Sequence, residues 1–260
     1  MKFASDFRRI ARDALCGRWV LATFAAFIAG LIGAGSSFSS GGIDFEYRTE
    51  ELPEALNGSI AEFVLKYGQI IVTVVSVLAI VYFIIGGAAL LGYTKFNLKL
   101  VDHSDARIGD LFSQFNRIGT GIIMQLLMSL YLTLWSLLFV IPGIVKGFSY
   151  SMTRYIMAEH PEYDVNYAIT ESRRIMDGNK FRLFCLRLSF IGWYILCGVI
   201  TGIGFAGLLG GVPLLGLLIV VSLVGSYAVV AYAEAAEAAF YREVSGTEFT
   251  NYTNYVNPEE

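Results

Sequence analysis

Six polar or ionisable side chains stand where a lipid-facing sequence has little use for them: Lys146, Tyr150, Arg154, Glu159, Glu234 and Glu237. The first four lie in Leu134 to His160, LWSLLFVIPGIVKGFSYSMTRYIMAEH, where an apolar helix is expected to stop at Pro142-Gly143, reverse and return through a membrane. Lys146, one turn past Pro142, can snorkel to the outer interface. Arg154 is twelve residues past Pro142, which at 1.5 Å per residue puts it roughly 18 Å into a hydrocarbon core about 30 Å thick. A bare charge at that depth is costly, so Arg154 must snorkel inward or find a carboxylate. Glu159, Glu234 and Glu237 are the candidates, the last two one helical turn apart. Two kinds of chemistry fit such a group: a buried ion pair that locks helices together, or a relay for protons or substrate beside Tyr150.

Other chemistry finds no constellation. His103 and His160 have no cysteine or carboxylate pattern suited to a metal. Cys16, Cys185 and Cys197 are odd in number and unpaired by spacing. Neither a phosphate-binding glycine loop nor an EF-hand spacing occurs, despite 27 glycines. The expectation is therefore a protein with no metal, no cofactor and no enzymatic activity.

The elements that position the six residues follow from where charge is missing. Only 16% of the 260 residues are charged, against about 25% in soluble domains. Uncharged runs extend from Trp19 to Ile43, Tyr67 to Thr94, Ile118 to Val145 and Leu188 to Ala233, the last long enough for two helices of about 20 residues. Adding the proline-bounded segment Ile144 to Ala158 gives six spans. Gly210-Gly211-Val212-Pro213 supplies the turn between the last two. The fold class is all-α: a polytopic helix bundle forming one membrane domain over residues 1–260.

With both termini placed inside, 16 of the 19 lysines and arginines fall on the inner side, and only Arg48, Lys66 and Lys146 remain outside. The loop Ser36 to Lys66 is acidic and external, and residues 243–260 form an inner tail. A cleaved signal peptide is the competing reading of the N-terminus, but its basic region is too long and too patterned. The expected location is the plasma membrane, multi-pass, with both termini cytoplasmic.

In chain order one unit recurs over residues 1–94, 95–160 and 161–242: an interfacial amphipathic helix, a glycine stop and a helix pair. The amphipathic segments are Phe3 to Leu15, Asp105 to Ile118 and Asp164 to Asp177, closed by Gly17, Gly119 and Gly178, with Ser104 and Asp164 as N-caps of the second and third. Arg8-Arg9-Ile10 and Arg173-Arg174-Ile175 match, and little else does. The basic residues of these segments and their borders, Arg8, Arg9, Arg12, Arg107, Arg117, Arg173, Arg174, Lys180 and Arg182, would face anionic lipid at the inner surface. Gly198/Gly202 and Gly207/Gly211 have the GxxxG spacing, here expected to pack helices within the chain, and Gly86-Gly87 thins the second span.

The run Asp110-Leu111-Phe112 with Phe115, then Trp135-Ser136-Leu137-Leu138, Ile141-Pro142-Gly143-Ile144-Val145-Lys146 and Ser149-Tyr150-Ser151-Met152, resembles the central signature of a bacterial membrane-protein family labelled domain of unknown function 975. Ala168, Ser172, Met176, Gly178, the run Lys180 to Phe184 and the run Ser189 to Trp193 continue the resemblance, which runs from the N-terminal amphipathic helix to about Tyr241. The family is similar in architecture to the membrane part of some glycerophosphodiester phosphodiesterases, whose catalytic barrel this chain lacks. The resemblance implies a helical membrane protein and no particular activity.

Two functional classes follow. The first is a non-enzymatic protein that organises membrane, binds lipid or docks a partner, with anionic lipid at its inner face and either a membrane-protein partner or a second copy of itself. The second is a small transporter with a polar site near Arg154 and Lys146. A lipid enzyme would need clustered nucleophiles, bases or metal ligands, and none are found. Nucleic acid is not an expected partner.

Overall fold

A computed structural model describes residues 3–33 and 59–246, and among these every regular element is helical. The helices are α1 (Ala4–Leu15), α2 (Trp19–Leu31), α3 (Ser59–Val101), α4 (Ile118–Leu138), α5 (Val140–Tyr150), α6 (Thr153–Glu159), α7 (Val165–Ile175), α8 (Lys180–Leu209) and α9 (Leu217–Ser245), with 3-10 turns at Ile108–Phe112, Phe115–Arg117 and Pro213–Gly216. Among the described residues four stretches are long and apolar enough to cross a membrane: Ala79–Val101, Ile108–Leu138, Lys180–Leu209 and Leu214–Ser245. A fifth arises only if α1 and α2, bent by 102° at Gly17, are taken together.

The count of six spans is thus not confirmed among the described residues, which provide four, or five with the bent pair. α2 stops after 13 residues, about 20 Å, and Gly33 then takes a left-handed φ of 96°. The proposed fourth span is two short helices separated at Ser151-Met152. Ser172 of α7 occupies that break: its hydroxyl donates to the Ser149 carbonyl (2.8 Å) and accepts from the Met152 amide (3.2 Å). Buried backbone groups freed by a helix break need such partners. The reversal before it falls at Phe139, three residues ahead of Pro142, which instead sits in the first turn of α5, where a missing amide hydrogen costs nothing. The turn between α8 and α9 lies where Gly210 to Pro213 placed it.

The acidic loop expected over Ser36 to Lys66 lies largely outside the described residues, as does the tail beyond residue 246; α3 already begins at Ser59.

Of the three recurring amphipathic segments, α1 and α7 are helices that end at left-handed Gly17 and Gly178, and Asp164 caps α7 by accepting from the Asn166 amide. The middle segment is two 3-10 turns. There Asp110 accepts from the Arg107 amide and from Lys99 (2.5 Å), and Ser113 bonds back to the Asp110 carbonyl, so side chains compete with helical bonding. Ser104 makes no cap; its carbonyl accepts from Arg18. Gly119 stops nothing and lies inside α4. α1 is more than a surface collar, because Phe7, Ile10, Ala11, Ala14 and Leu15 are buried in the same core as α9.

That core occupies one end of the bundle. From Gly86 to Val101 nearly all of α3 is buried, and so is α9 from Ala235 to Tyr241. Close approach there depends on glycine. A Cβ on Gly87 would lie 2.5 Å from the Gly121 backbone of α4, and one on Gly92 would lie 2.0 Å from the Leu111 carbonyl oxygen. The expected use of Gly198 and Gly202 is not met among the described residues, since a Cβ added at either would meet no other part of the protein within 4 Å and both are exposed.

Candidate functional site

α6, α8 and α9 meet in a group of four charges. Arg154 of α6 donates to Glu234 Oε1 (3.1 Å) and to Glu237 Oε2 (3.1 Å), and its Nη2 lies 2.9 Å from Glu234 Oε2. Arg187 of α8 forms a fork on Glu237, with Nε 2.7 Å from Oε1 and Nη2 2.9 Å from Oε2. Glu234 and Glu237, one turn apart on α9, are thereby shared by two arginines, and the group is neutral. Arg154 keeps 12% of its side-chain exposure and Glu237 11%. Bidentate geometry and charge balance are what a low-dielectric site requires of ions.

Aromatic rings extend the group. Arg154 stands 4.8 Å over Tyr155 and donates to its hydroxyl (3.1 Å); Arg187 lies 5.5 Å from the centre of Phe148. Tyr155 stacks on Tyr241, whose hydroxyl donates to Glu159 (2.7 Å). Glu159 therefore belongs to a second cluster, in which Arg242 of α9 bridges Glu159 and Asp102, in the turn just after α3. A cavity of about 210 Å³ opens beside this second cluster, next to Lys95 and Lys99. A smaller one lies between Tyr163, Tyr167 and Tyr241. Neither is lined by Arg154, Tyr150 or Glu234.

Lys146 and Tyr150 are not part of the group. Lys146 sits 4.6 Å over the Trp135 ring, and Tyr150 is buried against Tyr131 of α4. The basic residues assigned to lipid also divide. Arg9, Arg12, Arg107, Arg173 and Arg174 are exposed, and Arg8 and Lys180 are half-exposed. Arg117 turns inward to the Met157 and Pro161 carbonyls, and Arg182 is held by Glu243 (2.5 Å) between the rings of Phe7 and Phe240. Outside the spans, Glu171 carries a carboxyl held below the usual range by its bond from Arg174, so this pair is charged on the exposed face of α7.

Sequence reasoning found Arg154, Glu234 and Glu237 and missed Arg187, Arg242 and Asp102. A signal for Arg187 was present: it is the last charge before the uncharged run Leu188 to Ala233, and Glu234 is the first after it. Folding that run at Gly210–Pro213 brings its two borders level.

The comparisons now have a structure to attach to. Residues 137–248 match a family model described as protein of unknown function (DUF975). That stretch runs from the end of α4 through α9 and contains all four charges of the cluster. No curated protein and no solved structure matches the chain, and the likeness to glycerophosphodiester phosphodiesterases is not supported. The stretch that matches this family model is therefore a set of apolar helices, two of them long enough to cross a membrane, joined through buried ion pairs.

Proposed function

We propose that this protein is a non-enzymatic, lipid-interacting component of the plasma membrane, with both termini cytoplasmic, and that its Arg154 cluster is a strut. One observation carries the reading: every charge in the cluster has an opposite charge within hydrogen-bonding distance. A transport site would keep a polar group open to its cargo. The exposed arginines of α1 and α7 supply the contact with anionic headgroups, each worth about 1 kcal/mol near such a surface.

The test is a double-mutant cycle of thermal stability in detergent with Arg154→Leu, Glu234→Leu and the pair. Arg154→Leu strands Glu234 and is expected to lose about 3–5 kcal/mol, whereas the pair leaves Arg187 with Glu237 and recovers most of that loss. If Arg154→Leu is neutral or stabilising, the charge serves something other than folding and the strut reading fails.

A further inference from the structure

Lys146 was expected at the outer surface and Arg173 and Lys180 at the inner one, yet the three lie close together. Ser149, three residues past Lys146, accepts from Ser172, the neighbour of Arg173. Phe148 packs edge-on against Phe184, one turn past Lys180, with ring centroids 5.9 Å apart. Arg173 and Lys180 are both within electrostatic reach of Lys146. These contacts forbid a membrane between them. Among the described residues the one carboxylate paired with any of the three is Asp177, 3.8 Å from Lys180 and 88% exposed, too solvated to cancel the charge.

Beside the cations projects the α4–α5 hairpin, whose tip is apolar and bare: Leu137 is 85% exposed, Ile141 75% and Phe139 69%. Lys146 is seven residues past Phe139, about 10 Å of helix. If the three cations stand at the headgroups, the tip reaches about a third of the way through a hydrocarbon core about 30 Å thick.

We propose that Lys146, Arg173 and Lys180 form one site for the phosphate of an anionic phospholipid, at the foot of an α4–α5 hairpin that enters the membrane from that face and turns back within it. The site rests on the lipid-interacting reading above and names its ligand. Charge complementarity selects the headgroup, and the exposed hairpin tip selects a ligand that brings acyl chains with it. Trp135, under Lys146, suits the same interface.

The test uses the full chain in nanodiscs of phosphatidylcholine, with and without phosphatidylglycerol. Phosphatidylglycerol should raise the melting midpoint, and the combined variant Lys146→Gln, Arg173→Gln, Lys180→Gln should lose at least half of that rise. An undiminished rise in the triple variant overturns this site alone; no rise in the unaltered protein overturns the lipid reading as well. Inorganic phosphate added to phosphatidylcholine discs should not substitute, and an equal rise from it overturns the lipid as ligand. The hairpin is tested in a background of Cys16→Ser, Cys185→Ala and Cys197→Ala. There Lys146→Cys should react with an impermeant maleimide from the same side as Arg173→Cys and opposite to Leu214→Cys. Reaction from the Leu214→Cys side overturns the proposal.

Discussion

The two ends of this bundle solve the same problem by different means. At one end α3, α6, α8 and α9 close on each other through alanine, glycine and ion pairs, and residues 235–241 of α9 are all buried. At the other end the α8–α9 hairpin from Leu188 to Ala233 carries no charge, and Ile191 to Leu196, Leu208 to Val212 and most of Leu214 to Val224 face outward. Water would not tolerate the second surface, and lipid would not tolerate an unpaired version of the first. The difference shows where specificity resides: the charged end fixes which helices meet, and the apolar end only has to match its solvent.

The largest effect that would break this contrast is expected at Glu237, which holds Arg187 and shares Arg154. Glu237→Leu leaves two buried arginines with one carboxylate and should cost about 3–5 kcal/mol. Adding Arg187→Leu restores a balanced Arg154–Glu234 pair and should return most of the loss. Chemical denaturation in mild detergent measures both. Equal losses in the single and double variants would mean that packing, and not charge balance, organises this end.

Glycine sharpens the comparison with a change of sign. Gly92→Ala would drive a Cβ into the Leu111 carbonyl of a backbone segment that Asp110 and Lys99 hold in place, and overpacking of this kind costs about 1–3 kcal/mol. Gly202→Ala meets nothing within 4 Å and should be neutral or stabilising by about 0.4–1 kcal/mol, since alanine restricts the unfolded chain. The same assay reads both. A loss at Gly202 would show that a second surface packs on that face.

The sequence made the helical class, the α8–α9 turn, the Asp164 cap and the Arg154 partners legible, each through a local rule: uncharged length, a glycine-proline break, a capping side chain, a buried charge that needs its opposite. What stayed hidden depended on tertiary contact. Uncharged length could not tell that Ser172 would break the segment after Lys146 into α5 and α6, because the signal is on another helix. Amphipathic spacing over Asp105 to Ile118 was satisfied equally by 3-10 turns, which the bonds to Asp110 select. The GxxxG spacing at Gly198 read as packing only because spacing cannot say whether a neighbour is present.

The smallest effect concerns pH, and it too should come from the charged end, since no Asp, Glu, Lys, Arg or His lies between Leu188 and Ala233. His103 follows α3 in a left-handed conformation (φ 52°), and burial together with the charge of Arg18 pushes its imidazole pKa below the ordinary value of about 6.5. A depressed folded-state pKa means that the unfolded chain binds the proton more readily. The stability due to neutral His103 is therefore complete above about pH 6.5 and is lost as pH falls through the folded value. His103→Asn tolerates the left-handed backbone and does not titrate. Melting curves at pH 7.5 and 5.5 should show a larger drop for the unaltered protein than for His103→Asn, and His160, present in both, cancels in the difference. Since His103 is only partly buried, the difference should be small beside that of Glu237. An identical drop would mean that the neutral imidazole of His103 adds nothing to the stability of this end.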